Sequence, residues 1–317
     1  MLDKKKVILD VDTGIDDALA ILYALNSPSL IIEGITTAFG NTSLENVVKN
    51  TFDVIQLNQS DTKIPVFSGA KKPLVRDLVK KVNPIHGKNG LADYEFPEGN
   101  YELEKEDAAD FIIRKINEEP GKISLIMTGR LTNLATALMR DASIVQNVHQ
   151  VVLMGGALRV PGNVTPVSEA NIYGDPEAAH YVFESGLPIQ MVGLDVTSQV
   201  SFGEEHLKIL NEKMPPQKQE LLHFLNHIFT FSFQASDDLN QGRVRLLHDP
   251  LAVGVVVDPT LVETEAHYVH IETDSTLSRG ATLIDLRTKQ TESNAKACVK
   301  VNADKFINQF IDRLISI

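Results

Sequence analysis

The 317-residue sequence contains no tryptophan and a single cysteine, Cys298. One thiol excludes an internal disulfide and any cysteine-based zinc cluster. It suits a reducing compartment, so a cytoplasmic location is expected. Basic residues are in deficit: 30 Lys and Arg stand against 42 Asp and Glu, a net charge of −12. The basic footprint needed for nucleic acid or an anionic membrane surface is therefore missing. No apolar run approaches the ~18 residues of a membrane helix. The lysines at positions 4–6 lead into only a short apolar stretch, so no signal peptide is expected. Internal repeats and low-complexity linkers are absent, and Gly and Pro are spread along the chain. A single domain over residues 1–317 is the expected organisation.

What is present is an alternation of strand-like and helix-like segments. Residues 7–11 are short, apolar and β-branched, as in a buried strand. Residues 16–26 read as a helix stopped near Pro28, and 30–37 as a second strand. Leu44, Val47, Val48, Thr51 and Ile55 recur at helical spacing. Helices over 107–117, 133–140 and 176–185 then alternate with strands over 123–127, 151–154 and 189–192. In the last third, 217–241 holds one or two helices with a Phe-rich middle, and 251–257 is a short apolar helix. Strands are expected over 267–271, 282–286 and 297–301, with a closing amphipathic helix through Phe306, Phe310 and Leu314. Repeated βα units imply an α/β fold: a mostly parallel, Rossmann-like open central sheet wrapped by helices, with a helical lid region.

Ligands of open α/β sheets bind outside the carboxyl ends of the strands. The first strand runs into Asp10-Val11-Asp12-Thr13-Gly14-Ile15-Asp16-Asp17, the second into Thr36 to Asn41, the 123–127 strand into Thr128-Gly129 and the 151–154 strand into Gly155-Gly156. His248-Asp249-Pro250 opens a later helix. Four clustered aspartates repel one another unless something neutralises them. A hard divalent cation does so, and Ca²⁺ takes more protein oxygens than Mg²⁺. Asp12, Asp17 and Asp249, with the Thr128 carbonyl, form the expected donor set. Plainer roles are open to each residue alone. Asp16 and Asp17 suit a helix N-terminus, His248 suits a core position, and the glycines and asparagines suit turns. The stretch Asp10-Val11-Asp12-Thr13 also matches the Asp-x-Asp-x-Thr opening of haloacid-dehalogenase-type phosphatases, where the first Asp is a nucleophile. That reading leaves Asp16-Asp17, Asn41 and His248-Asp249 without a role.

Taken together, the residues resemble the inosine–uridine-preferring nucleoside hydrolase family over nearly the whole chain. The resemblance rests on Asp10-Val11-Asp12-Thr13-Gly14-Ile15-Asp16-Asp17-Ala18, then Gly40-Asn41-Thr42, Ile85-His86-Gly87, Leu131-Thr132-Asn133, Met154-Gly155-Gly156, Glu169-Ala170-Asn171 and His248-Asp249-Pro250, in that order. It implies hydrolysis of the N-ribosidic bond of ribonucleosides. By it, Asp12, Asp17, Asp249 and the Thr128 carbonyl hold Ca²⁺, and Asp12 is the general base. Asp16, Asn41, Met154, Glu169 and Asn171 grip the ribose. His86 and His248 lie near the base, with His248 placed to assist the leaving group. The segment 229–238 corresponds to a mobile lid, in which Phe229 and Phe233 are the base-side candidates because no Tyr occurs there. Purine-specific relatives stack the base between Trp rings, a mode closed to a chain without Trp, so pyrimidine or broad specificity is expected. The implied partner is a small nucleoside, and the implied assembly a homodimer or homotetramer. A Ca²⁺-dependent nucleoside-binding protein without turnover is the non-enzymatic alternative. Two departures stand out: Arg130 replaces the usual Pro before Leu-Thr-Asn, and Ala170 replaces a frequent Phe beside the sugar.

Overall fold

The computed structural model describes residues 4–58, 63–77, 85–99, 101–238, 242–287 and 292–316. Strands β1 (Lys5–Val11), β2 (Leu30–Thr37), β3 (Val66–Ser68), β4 (Ile123–Met127), β5 (Gln150–Met154) and β6 (Ile189–Val192) belong to the first two-thirds of the chain. Strands β7 (Ser201–Gly203), β8 (Val244–Leu246), β9 (Val262–His267), β10 (His270–Ile271), β11 (Thr282–Leu283) and β12 (Ala295–Val301) follow. The main sheet has eight strands in the order β3-β2-β1-β4-β5-β6-β12-β9. Its neighbours run parallel except β9, which is antiparallel to β12 at the edge. The expected open, mostly parallel sheet is what the chain forms.

β1 alternates its side chains between the two faces, as a period of two requires. Val7, Leu9 and Val11 join one apolar layer, and Ile8 joins the other. The first layer holds helices Ile15–Leu25, Gln219–Asp238, His248–Val257 and Ala303–Ile315. The second holds Ala108–Glu118, Thr132–Arg140 and Pro176–Phe183. Both faces of the sheet are thus covered, which is why its central strands are continuous apolar runs rather than alternating ones.

From β1 the chain first builds outward through β2 and β3, then returns to add β4 on the other side. The order reverses between β1 and β4, and a crevice opens there beyond the strand ends. Asp10 pairs in register with Met127 of β4 and Thr36 of β2, so Asp12, Thr128 and the segment after Thr37 emerge together.

The structure departs from the sequence expectations where strands are very short. β3, β7 and β8 have three residues each, too few to show a period. The expected 267–271 strand is split between the end of β9 and β10, and the 282–286 strand shrinks to β11. The 217–241 region is a short 3₁₀ turn followed by one helix, Gln219–Asp238, with residues 239–241 outside the described segments. No helix among the described residues is long and apolar enough to cross a membrane.

Candidate active site

The turn after β1 is organised by Asp17. As the third residue of its helix it accepts hydrogen bonds from the backbone N–H of Gly14 at 3.1 Å and of Asp12 at 3.2 Å. The helix-capping role open to it is therefore realised. The same carboxylate also accepts from the Thr128 hydroxyl at 2.8 Å and the Asn41 side-chain amide at 3.1 Å. That amide donates to Asp12 Oδ1 as well, at 3.0 Å, so one Asn bridges two carboxylates. The backbone N–H of Asn41 reaches Asp12 Oδ2 at 3.2 Å.

Asp16 points the other way. Its Oδ2 accepts from the backbone N–H groups of His248 and Asp249, both at 2.9 Å. This carboxylate thereby caps the helix that carries them and ties it to the β1 turn. Across the cleft, Glu169 caps helix Ala170–Gly174 and accepts from the N–H groups of Gly156 (3.0 Å), Asn171 (2.8 Å) and Ile172 (3.1 Å). Gly156 has φ of 83°, and a Cβ there would collide with Met191. Only glycine brings its N–H to Glu169 in this way. The Asn171 amide donates to the carbonyls of Thr128 at 2.7 Å and Met154 at 3.1 Å. The cleft is lined by Asp16, Asn41, His86, Thr128, Met154, Asn163, Glu169, Ala170, Asn171, Arg245, His248 and Asp249.

Burial dominates the electrostatics. Desolvation pushes the Asp17 and Asp249 carboxyls up, reinforced by the charge of Asp16 on Asp17 and of Asp17 and Asp16 on Asp249. Glu169 is raised for the same first reason. Buried carboxylates and backbone carbonyls are the type of oxygen donor that a hard divalent cation accepts. In the structure the compensation is partial and comes from Arg130, whose guanidinium ion-pairs with Asp12, and from Arg245 beside Asp16 and Asp249. Among the described residues, no three Asp, Glu, His or Cys side chains converge as a ready-made metal cage. The Arg130 side chain is 13% exposed, and desolvation lowers its pKa to about 10. It fits because Gly40 and Gly174 flank it, where any Cβ would strike the guanidinium or its stem. The residue that replaces the family's Pro is thus a counter-ion to Asp12.

Asp10 does not play the nucleophile of the phosphatase reading. It is fully buried, and its Oδ2 accepts from Thr36 Oγ1 at 2.5 Å and the Asn133 amide at 2.7 Å. Desolvation raises its pKa to about 7. It ties β1 to β2 and to helix Thr132–Arg140.

Both expected histidines line the cleft, and both are neutral at pH 7. His86 Nδ1 accepts from the Ile15 N–H at 3.1 Å, and burial lowers its pKa to about 3. His248 Nδ1 lies 2.8 Å from the Thr197 hydroxyl, and burial lowers its pKa to about 4. Both histidines thus sit below the ordinary value of about 6.5. A pH dependence of stability follows. The folded His86 refuses a proton that the unfolded chain accepts below about pH 6.5. Through this residue the unfolded state therefore binds more protons in that window, and the histidine's contribution to stability falls as the pH drops. The expected slope is about 1.4 kcal/mol per pH unit for each such histidine. Urea midpoints of wild type and His86→Asn between pH 7 and 5 check this. The wild type should lose stability more steeply, and equal slopes would contradict it.

Phe229 and Phe233 do not reach the cleft. Spaced four apart on Gln219–Asp238, they face inward with Leu225, and both are buried in the core. Phe229 stacks on Phe202 of β7 with ring centroids 4.2 Å apart. Phe233 borders a separate surface cleft with Glu204, Leu207 and Thr230. The helical period of this segment serves packing rather than base contact. Phe229→Ala is therefore expected to cost about 3–5 kcal/mol of stability, read from urea unfolding. A stability loss below about 1 kcal/mol would place the ring outside the core.

Sequence reasoning missed two cleft residues. Asn163 lines the cleft and accepts from the Ala170 N–H at 3.0 Å. Arg245 is 8% exposed and sits on β8, where it pairs with Phe202 of β7. Its Nη2 is 3.4 Å from Asp16 Oδ1. An arginine on a three-residue strand carries no signal of burial in the sequence.

Comparison with known proteins gives the family and the fold. The family model for the inosine-uridine preferring nucleoside hydrolase matches residues 7–308. The inosine-uridine preferring nucleoside hydrolase of Leishmania major is 39% identical over 313 residues, 98% of this chain and 97% of that protein. A pyrimidine-specific ribonucleoside hydrolase of Shewanella sp. is 36% identical over 314 residues, 98% of this chain and 96% of that one. Among solved structures, a purine-preferring ribonucleoside hydrolase from Gardnerella vaginalis superposes with a TM-score of 0.90 at 36% identity, covering 98% of both chains.

Proposed function

We propose that this chain, which belongs to the inosine-uridine preferring nucleoside hydrolase family, hydrolyses the N-ribosidic bond of pyrimidine ribonucleosides, or of inosine and uridine broadly, with a bound Ca²⁺. The observation that carries the reading is the pair of buried carboxylates, Asp12 and Asp17, bridged by Asn41 beside Thr128 at the sheet's switch point.

Asp12, Asp17, Asp249 and the Thr128 carbonyl are the residues that would hold the ion. When bound, it supplies Lewis acidity toward water and an anchor for the ribose hydroxyls. Asp12 accepts the proton of the attacking water, a task suited to a carboxylate whose two oxygens are already oriented by Asn41. Asp16, Asn41, Met154, Glu169 and Asn171 hold the sugar. Breaking the C1′–N bond builds positive charge on the ribose. Fixed carboxylates around it stabilise that charge without reorganising. Glu169 is positioned for this by three backbone N–H groups rather than by a flexible partner. His86 and His248 face the base.

The absence of Trp closes the Trp-sandwich mode of purine binding, which favours the pyrimidine or broad reading. The named relatives differ among themselves, being inosine-uridine preferring, pyrimidine-specific and purine-preferring. The assembly we propose is a homodimer or homotetramer, which sedimentation would test.

The test is ribose release, followed as reducing sugar, from uridine, cytidine, inosine and adenosine, each with and without a chelator. Release that the chelator abolishes and Ca²⁺ restores supports the reading, and the rates rank the bases. Release indifferent to the chelator would remove the ion from it. Nucleoside binding without release would favour the non-enzymatic alternative.

A further inference from the structure

The cleft is acidic except on one wall. His86, Arg245 and His248 gather there, and the charge of Arg245 is felt by both histidines. The Arg245 guanidinium brings a positive charge to this wall. The other charged groups it faces are Asp16 and Asp249.

Arg245 is poorly satisfied for so buried a group. Its Nε has no hydrogen-bond partner, and neither has Asp16 Oδ1, the oxygen nearest to it. A buried guanidinium normally finds partners for its fork of donors. Here a buried donor stays unpaired on a residue that lines the cleft. The backbone holding it is not loose: β8 pairs with β7, and Phe202 opposite Arg245 stacks on Phe229.

We propose that Arg245 binds the departing nucleobase and stabilises the negative charge that develops on it. The inference rests on the hydrolase reading above. In the step, the C1′–N bond breaks and its electron pair passes to the base nitrogen. The water oxygen bonds to C1′ and its proton goes to Asp12. The base leaves as an anion held by the guanidinium, and takes a proton from solvent on release. A fixed, permanently charged donor aimed at the leaving group does this at any pH the protein tolerates. The division of charge in the cleft follows the reaction: carboxylates face the sugar that becomes positive, and the guanidinium faces the base that becomes negative.

The experiment compares two ribosides that differ in how much help the leaving group needs. From uridine the leaving group is the uracil anion, which is poorly stabilised. From p-nitrophenyl β-ribofuranoside it is p-nitrophenolate, stable by itself. Arg245→Met should lower kcat for uridine by about 10²–10³-fold, with a far smaller drop, within about threefold, for the nitrophenyl riboside. Arg245→Lys should restore part of the uridine rate, because it returns the charge without the fork. Turnover of the nitrophenyl riboside by Arg245→Met doubles as proof that the variant is folded. Should that variant not fold, the comparison is made with Arg245→Lys alone.

Equal losses on both substrates would overturn the proposal, since Arg245 would then act through Asp16 on the sugar or through the fold. No loss on either would overturn it too. A wild-type protein that releases ribose from neither substrate would overturn the hydrolase reading itself, a result visible before any variant is made.

Discussion

Asp12→Asn is expected to lower kcat for uridine by about 10²–10⁴-fold, the range that a positioned general base contributes. The substitution removes the acceptor of the water's proton while leaving an oxygen in place. One acceptor oxygen remains for the Asn41 amide that now reaches Oδ1, so the turn keeps much of its shape. The loss of charge also leaves Arg130 without its partner. A buried polar group left unpaired costs about 1–3 kcal/mol, so the midpoint of urea unfolding should fall as well. Kinetics separates the two effects. A lost proton acceptor lowers kcat with KM little changed, whereas a distorted sugar site raises KM. Activity within a few-fold of wild type would remove Asp12 from the role of base.

Uridine is expected to exceed 2′-deoxyuridine in kcat/KM by about 10⁴-fold, the scale at which buried polar sites reject an analogue lacking one hydroxyl. The cleft justifies a large figure. Asp16, Glu169 and Asn171 are all nearly closed to solvent, so no water readily replaces a missing hydroxyl. The Asn41 and Asn171 amides are held in place, the first by two carboxylates and the second by two backbone carbonyls. Such a site does not rearrange to suit a smaller ligand. Parallel assays at one chelator-free metal concentration would measure the ratio, and a value near unity would contradict the assignment of these residues to the sugar.

Of the two departures from the family's motifs, Arg130 bears directly on Asp12. Its place depends on two glycines that lie far from it in sequence, Gly40 on the segment after β2 and Gly174 at the end of a five-residue helix. Each leaves the space that a side chain would fill. This coupling explains how an arginine stands where the family has proline without displacing Asp12.

The sequence by itself determined the layered α/β fold, because buried parallel strands and amphipathic helices leave different apolar periods. It also determined the acidic turn, since Asp12, Asp16 and Asp17 follow directly on a strand whose end must face the crevice. Most cleft residues were visible too: Asn41, Thr128 and Met154 lie at or just beyond strand ends, and Glu169 and Asn171 at the start of helix Ala170–Gly174, all within the motifs of the family. What the sequence could not determine depends on partners distant along the chain. Asp10 and Asp12 are two residues apart, yet one is a buried tie and the other lies in the site network. Only the neighbours, Thr36 and Asn133 for the first and Asn41 and Arg130 for the second, separate their roles. The phenylalanines of Gln219–Asp238 turned inward because β7 offers Phe202 as a packing partner. The tertiary structure alone decided that His86 and His248 stay neutral and that Arg245 is buried beside them. Those outcomes come from desolvation, and desolvation belongs to the assembled cleft rather than to any residue in it.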